Sequence, residues 1–147
     1  MAGAGDPTPV RSFSLSADAA GGRYRISVKS EPEGVSAQLQ DLVRPGDHLD
    51  VAAPRGAFVL DEGTDPVLLV SAGIGVTPVL AMLHRLVSEQ TTRDVWWIHT
   101  TRDAGVHVFR AEVTDLLARM PSAHCVVYYT SPSEPPGDGI RTGRPTA

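Results

Sequence analysis

The run PVLLVSAGIGVTP, residues 66–78, constrains the fold of this chain more than any other stretch. Val67–Val70 has the length and apolar content of a short buried strand. It meets two glycines, Gly73 and Gly75, and then Thr77 and Pro78. Beyond them Val79, Leu80, Met82, Leu83, Leu86 and Val87 recur at helical spacing. A strand that turns tightly into a helix aims backbone N–H groups and the positive helix end at one spot. Glycine there lets a phosphate come close to the backbone. Thr77 suits the N-cap and Pro78 the first helical position. Such a turn holds a pyrophosphate, which points to a nucleotide cofactor. Pro78 stands where the GxGxxG fingerprint has its third glycine, so the general dinucleotide pattern is not met. An ordinary strand-to-helix turn that needs glycine for positive φ is the alternative.

With 147 residues the chain has room for one ordinary domain or two small or incomplete ones. The net charge of -4 gives no reason to expect nucleic acid as a partner. No apolar run is long enough to span a bilayer, and MAGAGDPTPV has neither the basic nor the apolar region of a secretory signal. Cys125 is the single cysteine, which excludes an internal disulfide and a four-cysteine metal or iron–sulfur site. These features lead us to expect a cytoplasmic protein that binds no membrane.

The chain changes grammar near residue 62. The first ten residues read as a loose end. Phe13 and Leu15, then Tyr24, Ile26 and Val28, alternate with polar residues, which predicts two antiparallel strands joined by a turn at 18–22. A short helix is expected at 36–43, with Leu39, Leu42 and Val43 on one side, and Arg44-Pro45-Gly46-Asp47 as the turn that ends it. Leu49 and Val51, then Phe58–Leu60, read as two further short strands. After the polar stretch 61–65, strands and helices alternate as in a parallel α/β sheet. Strands are expected at Val67–Val70, Val95–Ile98 and Cys125–Tyr129. Phe109, Val113, Leu116, Leu117 and Met120 mark a second helix, and no periodic element is expected after 131.

Four motifs stand in order: Arg11-Ser12-Phe13-Ser14, Arg25-Ile26-Ser27-Val28-Lys29, Gly34-Val35-Ser36 and SAGIGVTP. Together they make the chain resemble the ferredoxin–NADP reductase superfamily, in particular reductase modules of the phthalate-dioxygenase-reductase and flavohaemoglobin type. The resemblance implies an α/β plus β architecture. A partial antiparallel flavin-binding β-barrel over residues 1–62 would precede a partial Rossmann-like parallel α/β domain over 63–147. It also implies truncation at both ends. The earlier barrel strands and a later Cys-Gly-Pro segment near the nicotinamide lie outside the chain, and RTGRPTA reads as the lead into a fourth α/β strand that does not arrive.

The resemblance further implies FAD or FMN and NADH or NADPH as cofactors. The module would pass hydride to the flavin and electrons onward to an iron–sulfur or haem protein or domain. Arg11 would bind the flavin pyrophosphate, Phe13 would pack on the ring in place of the usual tyrosine, and Ser14 would sit near the flavin N5 as the catalytic contact. Ile26 and Val28 would bring their strand to the ring edge, while Gly34, Val35 and Ser36 would meet the diphosphate. Gly73, Gly75, Val76 and Thr77 match the family's GxGxTP nicotinamide-nucleotide loop. Arg102, after the second α/β strand, is a candidate for the ribose or a 2′-phosphate, with Ser131 a further candidate. A surface Arg102–Asp103 pair is the alternative for the former, and Ser36 as a plain N-cap is compatible with its phosphate role. A catalytically incomplete fragment that binds nucleotide at most is the alternative for the whole chain.

Other chemistry finds no support in the spacing. His84 on a polar helix face and His99 at a strand end belong to no metal-ligand pattern. Cys125 reads as a small buried residue, and Trp96-Trp97 as packing on the two faces of the sheet.

Overall fold

The computed structural model describes residues 10–19 and 22–145. Helix α1 spans Val35–Leu42, after which regular structure resumes only with strand β1 at Val67–Ala72. A single 3-10 turn, Gly73–Gly75, joins β1 to helix α2, Val76–Ser88. Strand β2 covers Val95–Thr101, helix α3 Arg110–Leu117, strand β3 Ala123–Tyr129 and strand β4 Ile140–Thr142. The four strands form one parallel sheet in the order β1-β2-β3-β4. This is the Rossmann-like portion expected from the alternating pattern.

Period-two alternation decides which side chains meet the helices. Along β1, Val67, Leu69 and Ser71 are buried, while Leu68, Val70 and Ala72 are exposed. Register carries the buried row across the sheet: Leu69 faces Trp97, and Ser71 faces His99, which faces Val127. Against this row α2 places Leu80, Leu83 and Leu86, with at most 1% of each exposed. Val113 and Leu116 of α3 complete the cluster. The opposite face keeps Leu68, Val70 and Trp96 at 62%, 53% and 39% exposure. Parallel sheets are ordinarily covered on both faces; among the described residues these three side chains remain open.

Several expectations need correction. Thr77 is not the N-cap. The 3-10 turn takes up three residues, Gly75 becomes the N-cap, and Thr77 donates its Oγ1 hydrogen to the Ile74 carbonyl at 3.3 Å. Pro78 is therefore the third residue of α2, still within the first turn where a missing N–H costs no helical bond. Ser36 lies inside α1, whose N-cap is Gly34. A fourth strand does arrive: β4 pairs in parallel with β3, set between Gly139 and Gly143, whose positive φ of 79° and 101° turns the chain sharply on either side. Three residues carry too little periodicity to be read in advance. His99 lies within β2 rather than at its end, and Cys125 is exposed.

The antiparallel portion is far less regular than expected. Of the first two predicted strands only an isolated Leu15–Ile26 antiparallel bridge is formed. Leu49, Val51, Phe58 and Val59 belong to no strand and are 52–73% exposed. Alternation yields a strand only where a neighbouring strand supplies the ladder, and none among the described residues does so here. The barrel is thus not formed by residues 10–19 and 22–62. The loose end over residues 1–9, the centre of the 18–22 turn and the last two residues lie outside the described residues. The polar stretch 61–65 is tied to the α/β body by Arg93, which donates to the Asp61 and Asp65 carbonyls at 3.1 and 2.6 Å.

Candidate functional site

Parallel strands deliver all their carboxyl-end loops to one edge of the sheet, where ligands of such folds bind. The turn after β1, the Arg102–Val106 segment after β2 and the Thr130–Ser131 segment after β3 gather at that edge. Backbone hydrogen bonds knit the latter two: Thr130 N–H to Thr101 O at 3.0 Å and Ser131 N–H to Arg102 O at 2.9 Å.

The Gly73–Gly75 turn has the properties of a phosphate cradle. Gly73 has φ of 50°, a left-handed conformation that a side chain would strain. Gly75 has φ of -61°, so its lack of a side chain is not required by the backbone. A Cβ at either position would meet nothing within 4 Å, so the turn opens onto free space. Among the described residues no side chain caps α2, and no acidic residue stands in its first turn to answer its positive end. The Val76 amide is already used by the Gly73 and Ile74 carbonyls, and its side chain is only 1% exposed. Thr77 is 6% exposed with its hydroxyl turned back to the loop. Val76 and Thr77 thus shape the turn from within. Arg102 lies at the surface and donates to Asp103 Oδ2 at 3.1 Å. Asp103 in turn accepts from the amides of Gly105 and Val106. The hydrogen bond from Arg102 leads the causes that hold the Asp103 carboxyl below its usual range.

The first and second motifs, apart in sequence, are brought together by one bridge. Leu15 pairs with Ile26, placing Ser14 and Ile26 on its two sides. Ser14 and Ile26 are exposed, and Phe13 and Val28 half-buried. Arg11 is exposed and donates to the Val10 carbonyl at 2.9 Å. Gly34, with φ of 84°, caps α1, and Val35 and Ser36 begin it.

Two clusters had no signal in the sequence. His99 Nδ1 meets Ser71 Oγ at 2.9 Å, two residues before Gly73, and its ring stacks on His107 at 5.2 Å. His107 Nδ1 reaches the Tyr129 hydroxyl at 3.0 Å. Burial, followed by the neighbouring His107, lowers His99 to about 4. Burial, followed by Arg110, lowers His107 as well. The second cluster joins Arg25, His84 and Glu112. Partial burial works to raise the Glu112 carboxyl, but hydrogen bonds and charge from Arg25 and His84 prevail and hold it low. Each cluster unites residues far apart in the chain, which spacing alone does not reveal.

Among the described residues no group of three or more His, Cys, Asp or Glu is arranged to hold a metal, and no helix is long and apolar enough to cross a membrane.

A family model described as "Oxidoreductase NAD-binding domain" matches residues 69–147. The flavohemoprotein of Burkholderia sp. (strain TH2) is 46% identical over 123 residues, which is 83% of this chain and 31% of that protein. The chain therefore spans about a third of the length of such relatives. The flavohem-like FAD/NAD-binding domain of nitric oxide dioxygenase from Vibrio cholerae superposes with a TM-score of 0.84 at 34% identity, covering 92% of this chain and 58% of that one. Phthalate dioxygenase reductase, described as a modular structure for electron transfer from pyridine nucleotides to [2Fe-2S], superposes with a TM-score of 0.63 at 25% identity, covering 88% and 52%. The parallel sheet, its glycine turn and the match over residues 69–147 lead to one conclusion: the chain belongs to the oxidoreductase NAD-binding domain family, within the ferredoxin–NADP reductase superfamily.

Proposed function

We propose that this chain is a reductase module that binds NADH or NADPH beside a flavin and serves hydride transfer from one to the other. The observation that carries this reading is the open Gly73–Gly75 turn at the head of the uncapped helix α2. Both glycines face open space, which leaves a pyrophosphate room to approach the backbone of the turn. Hydride donation and acceptance belong to the nicotinamide and the flavin, FAD or FMN, when they are bound. The chain supplies position and charge. Arg11 offers a planar, permanently charged fork to a phosphate. Phe13 offers an aromatic face, and the exposed Ser14 hydroxyl a hydrogen bond to the reacting edge of the ring. Ile26, Val28, Gly34, Val35 and Ser36 complete the flavin side, and Arg102 the adenosine side. Residues 1–62 and 63–147 act as the two halves of the module, the flavin side and the nucleotide domain.

The electrons pass on to a haem or iron–sulfur partner. The named flavohemoprotein relative favours haem. A cytoplasmic setting agrees with the single, unpaired Cys125.

The purified chain, supplied with FAD or FMN, is expected to turn yellow and to bleach when NADH or NADPH is added without oxygen. A protein that remains colourless, or that is yellow and never bleaches, would sink this reading in favour of an incomplete fragment.

Gly75→Val tests the turn directly. A valine side chain projects into the space in front of the turn, and the φ of -61° accepts it. We expect affinity for NADH to fall about tenfold or more, because the backbone must be approached closely by the pyrophosphate. Thermal stability should stay close to that of the parent. Equal affinities in a direct binding titration would reject the assignment.

A further inference from the structure

Arg25 occupies a place that the flavin reading leaves without a role. It precedes Ile26 of the Leu15–Ile26 bridge, and its guanidinium grips the other side of that bridge. Nε donates to Ser16 Oγ at 3.1 Å, and Nη2 donates to the Ser16 carbonyl. Ser16 is fully buried, its amide donates to the Arg25 carbonyl at 2.8 Å, and its hydroxyl lies 2.7 Å from that of Ser27. One side chain thus braces both segments that carry Ser14 and Ile26.

The same Nη2 donates to Glu112 Oε1 at 2.7 Å, 87 residues away in sequence. Glu112 stands in the first turn of α3. Its Oε1 also meets His84 Nε2, on α2, at 2.6 Å. The Arg25 guanidinium lies 6.0 Å from the centre of the Phe109 ring, which packs against the core. Helix α2 begins at the glycine turn, so a single carboxylate oxygen links the bridge to the helix that presents the nucleotide cradle. A second tie, Ser88 Oγ to Asp18 Oδ2 at 3.1 Å, supports the same docking.

We propose that Glu112 is a positioning residue that acts through Arg25. It fixes the Leu15–Ile26 bridge, and with it the neighbouring Ser14, relative to the β1–α2 turn and thereby sets the distance over which hydride is passed. The last clause rests on the reading of the chain as a flavin reductase; the docking itself does not. The Arg25 and Glu112 side chains are 41% and 28% exposed, so solvent screens the pair and its contribution to overall stability is small. Geometry is the larger consequence. A displacement of about 1 Å can cost on the order of a hundredfold in rate when two reacting groups must be held in register.

The test is a double-mutant cycle of Glu112→Gln and Arg25→Gln on the full chain, with two readouts. Without any flavin, hydrogen exchange at the Ser16 amide should quicken roughly fivefold in either variant while the Leu69 and Trp97 amides stay unchanged. With flavin bound, reduction by NADH should slow about tenfold in Glu112→Gln while NADH affinity stays within about twofold. Adding Glu112→Gln to Arg25→Gln should change neither readout further. Unchanged Ser16 exchange in Glu112→Gln overturns the docking role. An undiminished reduction rate, or a full second loss in the Arg25→Gln background, overturns the positioning role. A parent chain that takes up no flavin defeats the reductase reading alone, and the exchange experiment still decides the docking.

Discussion

Trp97→Ala should lower the free energy of unfolding by about 3–5 kcal/mol, and Trp96→Ala by no more than about 1 kcal/mol. The two residues are neighbours in β2 and chemically identical, so the contrast measures only which face each one occupies. Trp97 is 1% exposed, lies beside Leu69 in the register and belongs to the cluster completed by α2 and α3. Truncation there removes the largest side chain of the core and leaves a cavity that the rigid sheet can only partly close. Trp96 is 39% exposed, stacks on His124 at 4.2 Å and donates Nε1 to Asp94 Oδ2 at 3.2 Å. Its loss gives up one stacking contact and one surface hydrogen bond. Since small domains are stable by only about 5–15 kcal/mol, Trp97→Ala should sit close to the unfolding threshold at ordinary temperature. Urea titration followed by far-ultraviolet circular dichroism gives both values. Equal destabilisation by the two variants would contradict the assignment of faces.

That pair also marks how far the sequence could be read. Alternation puts consecutive strand residues on opposite faces, and this was legible. Which face the helices would cover was not, because it depends on the path of the chain between β1 and β2. The α/β half was readable because each element carries its own signal: the apolar run of β1, the helical recurrence from Val79 to Val87, and the run Val95–Ile98. The error at Thr77 is local in origin. A 3-10 turn and a capping turn share the same residue types, and only the backbone path decides which residue caps. Residues 49–60 misled for the opposite reason: their alternation is genuine, but a strand needs a ladder partner that no local pattern reports. The Arg25–Glu112 pair was invisible because 87 residues separate its members. The glycine turn was found at once, since Gly73 and Gly75 are adjacent to the strand and helix that make them meaningful.

Acid should weaken this fold in a window set by His99. The residue is 1% exposed, and burial lowers its pKa from 6.5 to about 4. Below pH 6.5 the unfolded chain takes up a proton that the folded chain refuses, so stability falls as pH drops from 6.5 to about 4 and is complete above 6.5. A separation of that size between folded and unfolded states is on the order of 3 kcal/mol. The loss from this group levels off below its folded pKa, where both states hold the proton. His107, also lowered, adds to it in the same direction. Asp103 and Glu112, held below their usual carboxyl range, act at still lower pH and extend the decline. The geometry indicates where the damage begins. His99 Nδ1 contacts Ser71, Nε2 is buried with no hydrogen-bond partner among the described residues, and the His107 ring is stacked against it. A second proton on this imidazole places charge inside the sheet between β1 and β2, beside Ser71, which stands two residues before the glycine turn. His99→Gln keeps a polar group near Ser71 and removes the titration. Its stability should depend on pH with a slope shallower by about one proton between 6.5 and 4, whatever its stability at neutral pH. A slope identical to that of the parent would show that the acid sensitivity lies elsewhere in the chain.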